Sequence, residues 1–329
     1  MKKPSNIFIF ALLLLTGLCI LSPYLDYQPW LSQGDHGLNL YVAEATLKGE
    51  RPYHDYHWFY GPLMPYYYAA FFKIFGVKIT SALLGQILLN LLSGCFIYAA
   101  LALFVPPLLA FGAAIWFWAF GFDFSYTYNH FGGITLSAML LYYHFCYIKT
   151  AERKPLYACL LIIFTLSLVK INMGLSALAA FFLSITLTDF LNGRLNSKAF
   201  RNFSLSALIG LPLALTIFHY FLLKDLPFYI IRQCFQYFGT DSFKDSYPSL
   251  FESLLSLPKL FLFQYAGASL LQLAFSLLVL ISLLKTIIAL KGPEKAEWKT
   301  FFSTASALLL YYLFQLHEYL ISGVYFRSV

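Results

Sequence analysis

The chain has 329 residues, of which 60% are hydrophobic and only 11% are charged. A soluble globular domain carries about 25% charged residues, so this composition excludes a chain that covers a water-facing surface of its own. The net charge of +7 need not indicate nucleic acid, because membrane proteins carry excess Lys and Arg on their cytoplasmic side. Composition therefore predicts an all-α, polytopic membrane protein with no nucleic-acid partner.

Apolar runs near the length needed to cross a ~30 Å hydrocarbon core recur along the whole chain. The first run follows Lys2 and Lys3 and has the charge pattern of a signal peptide, but Ser22-Pro23-Tyr24 is a poor cleavage site, so we interpret it as an uncleaved span. We expect a single transmembrane domain, residues 1–329, rather than two soluble domains. It should hold about nine spans, at 7–24, 79–103, 106–121, 131–149, 155–169, 173–191, 203–223, 267–290 and 301–321.

The distribution of charge predicts the orientation of these spans. With the N-terminus in the cytoplasm, 12 of the 22 Lys and Arg but only four of the 15 Asp and Glu fall inside, so the inner side carries +8 and the outer side −1. This asymmetry favours loops 25–78 and 224–262 on the outer face, in a periplasm-like or lumenal space. If the run at 131–149 or 155–169 were re-entrant, every later segment would change sides of the membrane. The Lys and Arg residues of those segments would then no longer lie on the same side as the N-terminus.

Most of the polar and charged residues that suggest a function lie in the first outer loop. Residues 35–47 have helical periodicity, with Asp35 at the N-cap position and Gly49 at the C-terminal end. A second short amphipathic helix is predicted from Pro62 to Phe75. Both helices are too short to span and should lie along the membrane surface. In the first helix, Leu38, Tyr41, Val42, Ala45 and Leu47 are placed on or near one apolar face, with Asn39, Glu44 and Lys48 elsewhere.

Two carboxylates in this loop are candidates for chemistry. Asp35 and Asp55 would lie about 20 residues apart at the outer leaflet, where a carboxylate acts as a general base on an acceptor hydroxyl or orients a metal or a sugar. The structural alternatives are a helix cap for Asp35 and a solvated turn residue for Asp55. For His36, His54 and His57, ordinary interfacial side chains are the default interpretation.

The first outer loop carries a series of short motifs: Asp35-x-Gly37, Leu40-Tyr41-x-Ala43, Leu47-x-Gly49, Pro52-Tyr53-x-Asp55, Gly61-Pro62-Leu63, Tyr67 and Phe75-Gly76. This pattern resembles the first loop of the dolichyl-phosphate-mannose-protein mannosyltransferase-like group of the GT-C superfamily of membrane glycosyltransferases, strongly over residues 30–80 and more weakly beyond. In that group an acidic pair follows the first span and its Asp is the catalytic base, which corresponds to Asp35. The second acidic position is His36 here.

The same group has a Lys-containing outer turn between two spans, which corresponds here to residues 170–174. An ionisable residue in so apolar a stretch is costly, so Lys170 is a functional hypothesis by default; the alternative is that it snorkels to the headgroups. The resemblance implies that Lys170 meets a lipid phosphate. The full set of expected substrate-binding residues is His36, Arg51, Lys78, Asp123, His130, Lys170 and Asn172.

The resemblance implies an inverting transfer of sugar from a polyprenyl-phosphate donor to a protein, lipid or glycan acceptor at the outer face. No cofactor is expected, and the sequence leaves open whether a divalent metal is required. Relatives have more spans and often an outer C-terminal domain, so a chain ending at Val329 is expected to be truncated or a short member.

Two alternatives remain. A transporter or lipid-binding protein would often have inverted repeats and helices broken at mid-membrane, and the sequence has no such repeat. A catalytically inactive member of the group is the other.

Overall fold

A computed structural model of the chain describes residues 6–26, 34–120, 128–194, 198–224, 299–300, 303–308 and 310–311. These residues form helices joined by turns, with no β-strand among them, which confirms the all-α prediction. A 3₁₀ turn, Ser22–Asp26, extends the first helix. The helices are α1 Asn6–Leu21, α2 Gly34–Leu47, α3 Leu63–Phe75, α4 Ile79–Leu101, α5 Pro107–Phe120, α6 Tyr128–Thr150, α7 Lys154–Val169, α8 Ile171–Leu191 and α9 Lys198–Leu223.

Within the described ranges, five helical segments are long and apolar enough to cross a membrane: Phe8–Asp26, Ile79–Leu101, Asn129–Thr150, Ile171–Leu191 and Phe203–Tyr220. The predicted spans at 106–121 and 155–169 correspond to α5 and α7, which have only 14 and 16 residues. The predicted span 267–290 and most of 301–321 lie outside the described residues, as does the outer loop 224–262 beyond Lys224. Membrane-spanning helices are therefore supported, and the count of nine stays a prediction.

Local sequence explains where several helices begin and end. Pro107 opens α5 and Pro155 lies in the first turn of α7, where the missing proline N–H costs nothing. The chain leaves α2 through Gly49, whose φ of +96° is a backbone conformation that glycine adopts readily. The predicted turn between α7 and α8 is shorter than expected, because Lys170 alone separates the two helices.

The described residues divide into two compact units. The first falls within Met1–Tyr147, Ala151–Gly174 and Ala214–Cys234. Its centre is Trp118 of α5, which is fully buried against α1 and α4 and donates its indole N–H to the Asn90 carbonyl at 3.0 Å. The hydroxyls of Ser93 and Thr135, 2.9 Å apart, join α4 to α6.

The second unit falls within Ile148–Thr150, Leu175–Leu213 and Phe235–Val329. Among its described residues, α8 and the first part of α9 pack through aromatic rings: the centroid of Phe203 lies 6.3 Å from that of Phe181 and 6.4 Å from that of Phe182. All described residues of the candidate site belong to the first unit.

Candidate functional site

Helix α2 forms where the sequence predicts it. Leu38 and Tyr41, on its predicted apolar face, are 39% and 57% exposed, whereas Asn39 is 5% exposed. The face that packs against the protein contains Asn39, Val42, Ala43, Ala45 and Thr46. A helix at a membrane surface can present apolar side chains to lipid, which leaves small and polar residues for the protein contact.

The segment after α2 is held in one conformation by aromatic side chains. The Tyr53 hydroxyl donates to the Tyr60 carbonyl, and the Trp58 indole N–H donates to the Gly61 carbonyl at 2.9 Å. The Tyr56 hydroxyl lies 2.6 Å from the Thr46 hydroxyl of α2. These contacts define the aromatic loop, residues 51–61, as a fixed structure packed on α2.

Asp55 closes the tight turn that begins this loop. One of its carboxylate oxygens accepts the main-chain N–H of Arg51 at 2.7 Å and lies 3.8 Å from the Arg51 Nε. Both side chains are exposed by more than two fifths of their area. Asp55 is therefore a solvated turn residue, and the Arg51 guanidinium lies beside its carboxylate.

The aromatic loop docks on the C-terminal end of α7. The main-chain N–H of Gly61 donates to the Val169 carbonyl at 3.0 Å. A Cβ at Gly61 would overlap the Leu168 carbonyl, so only glycine permits this approach of the two backbones. The loop and the end of α7 are therefore in direct contact.

Lys170 lies in the break between α7 and α8. Its backbone is extended, at φ −155° and ψ 115°, while the helices fold back closely: a Cβ at Gly174 would lie 2.6 Å from the Ser167 Cα. The Lys170 Nζ lies 5.6 Å from the centroid of the Tyr60 ring. Ile171 packs against the cluster of Val42, Ala45 and the loop aromatics. The predicted outer turn and the predicted outer loop are thus brought together.

The first turn of α6 lies near the break between α7 and α8. Helix α7 passes α6 in the antiparallel direction, since the Cys159 thiol lies 3.9 Å from the Leu140 carbonyl whereas Val169 packs at Gly132. A Cβ at Gly133 would lie 2.8 Å from the Met173 sulfur. Continuing in this direction brings Lys170 level with the first turn of α6, which contains Asn129 and His130.

The remaining predicted residues differ in their relation to this site. Asp35 occupies the first turn of α2, one residue inside the helix rather than at its N-cap, and its side chain lies outside the described part. Asn172 accepts the N–H of Met173 at 3.0 Å and is half-buried beside the break. His36 is half-buried on α2. Asp123 lies outside the described residues.

Lys78 is separated from the break. It is exposed and immediately precedes α4, past the far end of α3. Helix α3 begins next to the Gly61–Val169 contact and its 13 residues carry the chain about 18 Å away. Of the predicted substrate-binding residues, Lys170 contacts the aromatic loop and Arg51 belongs to it, whereas Lys78 lies past the far end of α3.

Burial changes the ionisation of the tyrosines around the loop. Desolvation raises the pKa of the Tyr56 hydroxyl well above its ordinary value, and the hydrogen bond with Thr46 offsets only part of this. Desolvation also raises the pKa of Tyr66 at the start of α3, against a smaller lowering by the charge of Arg51. Both phenols remain neutral donors at physiological pH.

The residues that build the site were not among the predicted site residues. Tyr53 entered only through the resemblance, and Tyr56, Trp58, Tyr60 and Asn129 were not candidates. The density of aromatic residues just before Gly61-Pro62 was the available signal, because large rings with polar edges fix a loop by burial and hydrogen bonding together.

No group of three His, Cys, Asp or Glu residues is placed to hold a metal ion within the described ranges. The chain matches no protein-family model, no curated protein and no solved structure. The resemblance to the mannosyltransferase-like group therefore rests on the residues of the first loop and of the turn at 170–174, and the function must be inferred from the site.

Proposed function

We propose that the chain is a glycosyltransferase that takes a sugar from a polyprenyl-phosphate donor at the outer face of the membrane. The observation that carries the proposal is the position of Lys170, an ammonium in a break between two apolar helices, 5.6 Å from the ring of Tyr60 in the aromatic loop. A cation so placed suits an anionic lipid headgroup, whose hydrocarbon tail would remain in the bilayer.

Two further observations support this location. The aromatic loop is anchored at Gly61 to Val169, the residue directly before Lys170. The outward Leu38 and Tyr41 give α2 an apolar exposed face, as expected of a helix at the membrane surface. The proposed site is therefore interfacial, where a lipid-linked sugar presents its headgroup.

The proposed chemistry uses this chain's own residues. An acceptor hydroxyl or amine attacks the anomeric carbon from the face opposite the phosphate, forming the new glycosidic bond as the bond from that carbon to the phosphate oxygen breaks. The acceptor's proton passes to the Asp35 carboxylate, acting as general base. The lipid phosphate leaves with the bonding electrons, and the Lys170 ammonium stabilises its developing charge. The anomeric centre is inverted.

The same proposal fixes the orientation of the chain. The N-terminus lies in the cytoplasm, about nine helices cross a bacterial inner membrane, and α2, the aromatic loop and Lys170 face the periplasm. The acceptor is a protein, lipid or glycan of that compartment. No cofactor takes part in the proposed steps.

The direct test is turnover of a labelled donor. Purified protein is incubated with radiolabelled polyprenyl-phosphate sugars and a membrane extract that supplies acceptors, and release of polyprenyl phosphate is measured. Asp35→Asn keeps the side-chain shape but removes the basicity, so turnover should fall by roughly 10²–10⁴-fold. Donor binding should remain. Near-normal turnover by Asp35→Asn would place the base elsewhere, and failure of every donor would reject the proposed activity.

A further inference from the structure

A buried carboxamide lies beside the helix break. Asn129, in the first turn of α6, is only 1% exposed, and neither its Nδ2 nor its Oδ1 has a hydrogen-bond partner among the described residues. Burying an amide without partners costs free energy, because its hydrogen bonds to water are lost and not replaced. Such a group in a folded protein calls for a partner that the described chain does not supply.

Its position identifies where that partner would lie. Asn129 precedes Gly132 and Gly133 by three and four residues, so it lies on the same face of α6, about one turn nearer the helix start. Gly132 packs on Met64 and Val169, and Gly133 packs on Met173. Lys170 directly follows Val169, and Gly61 donates to the Val169 carbonyl, so both lie within about one turn of Asn129 along α6.

The chemistry of an amide selects the ligand group. A carboxamide offers an acceptor oxygen and donor hydrogens side by side. A phosphate oxygen only accepts, and would leave Oδ1 without a partner. Adjacent hydroxyls of a sugar both donate and accept, so they can satisfy both ends of the amide at once.

We infer that Asn129 binds hydroxyl groups of the donor's sugar and is a specificity residue of the site, next to the phosphate position at Lys170. This inference rests on the proposed function. It adds that the two residues recognise different parts of the donor. The Lys170 ammonium binds the phosphate, which all polyprenyl phosphates share, and the Asn129 amide distinguishes one sugar from another.

The test compares lipids with and without sugar. Affinity of the full chain in detergent is measured for undecaprenyl phosphate and for the same lipid carrying mannose, glucose, galactose or arabinose. The wild type should bind at least one glycosylated lipid more tightly than the bare lipid. Asn129→Leu should lose roughly tenfold in affinity for that glycosylated lipid, because two hydrogen bonds are removed. Its affinity for bare undecaprenyl phosphate should not change.

Gln86→Leu is the matched control. Gln86 is another fully buried amide without a partner in the described part of the chain, but it lies on α4, which packs against α1, α3, α5 and α6. Its replacement should leave the preference for the glycosylated lipid intact. Equal loss of that preference in both variants would overturn the assignment of Asn129, because the effect would then be general.

Thermal stability of the ligand-free protein provides a second readout. Exchanging an unpartnered amide for an apolar group of similar size is neutral or stabilising, so Asn129→Leu should keep or raise Tm without lipid. A clear drop in Tm would mean that the chain itself pairs Asn129, which overturns the inference. If the wild type binds the bare lipid and binds no glycosylated lipid more tightly, the sugar-binding role of Asn129 is wrong and the proposed function is not affected. If the wild type binds no lipid at all, both are wrong.

Discussion

The ammonium of Lys170 lies 5.6 Å from the centroid of the Tyr60 ring, and this contact joins the two segments that the sequence singled out separately. A cation over an aromatic face gains about 0.5–1 kcal/mol at an exposed site and more when water is excluded. Tyr60 is itself fixed, since its carbonyl accepts the Tyr53 hydroxyl. The aromatic loop therefore contacts the cation at the helix break.

The contact between Gly61 and α7 should be intolerant of any side chain. In Gly61→Ala the added methyl overlaps the Leu168 carbonyl, which forces the loop away and weakens the hydrogen bond to Val169. We expect a loss of about 1–3 kcal/mol in the free energy of unfolding, as for other overpacked sites. The matched control is Gly112→Ala in α5, where no atom lies within 4 Å of the added carbon. Equal effects of the two variants would contradict the docking of the loop.

Tyr56 should make the stability of the loop depend on alkaline pH. Burial raises the pKa of this phenol in the folded state, so its contribution is complete below the ordinary tyrosine value of about 10 and is lost as pH rises from there through the raised folded value. Above about pH 10, each pH unit costs about 1.4 kcal/mol for one such group.

Tyr56→Phe should abolish this part of the pH dependence, at the cost of the hydrogen bond with Thr46, about 0.5–1.5 kcal/mol at neutral pH. Thermal unfolding in detergent between neutral pH and pH ~11 provides the measurement. Tyr41→Phe, on the exposed face of α2, is the control and should retain the wild-type profile. A Tyr56→Phe profile parallel to the wild type would show that the phenol is solvated.

Much of the outer loop could be predicted from local pattern. Asp35 to Gly49 and Pro62 to Gly76 carry helix periodicity with glycine ends, and α2 and α3 form there. The burial of Asn39 could not be predicted, because periodicity alone does not say whether the apolar face of α2 meets lipid or protein. The docking of Gly61 on Val169 is a tertiary contact between segments remote in sequence, which no local pattern encodes.

The orientation proposed for the bundle can be tested at two described positions. Topology reporters fused after Lys154 and after Lys224 should report the cytoplasm and the periplasm, respectively, because α7, α8 and α9 then complete three crossings between them. The expectation follows from the excess of Lys and Arg on the inner side. The same signal at both positions would mean that one of these helices does not cross, with the 16-residue α7 the first to suspect.

Binding of the donor lipid to two lysine variants tests the central claim most directly. Affinity for labelled undecaprenyl phosphate is measured for the wild type, for Lys170→Met and for Lys78→Met, which removes an exposed ammonium past the far end of α3. A hydrogen bond to a charged group contributes about 1.5–3 kcal/mol, so Lys170→Met should weaken binding by roughly 10–150-fold. Lys78→Met should bind as the wild type does. Unchanged affinity in Lys170→Met, or an equal loss in Lys78→Met, would contradict a phosphate site at the helix break.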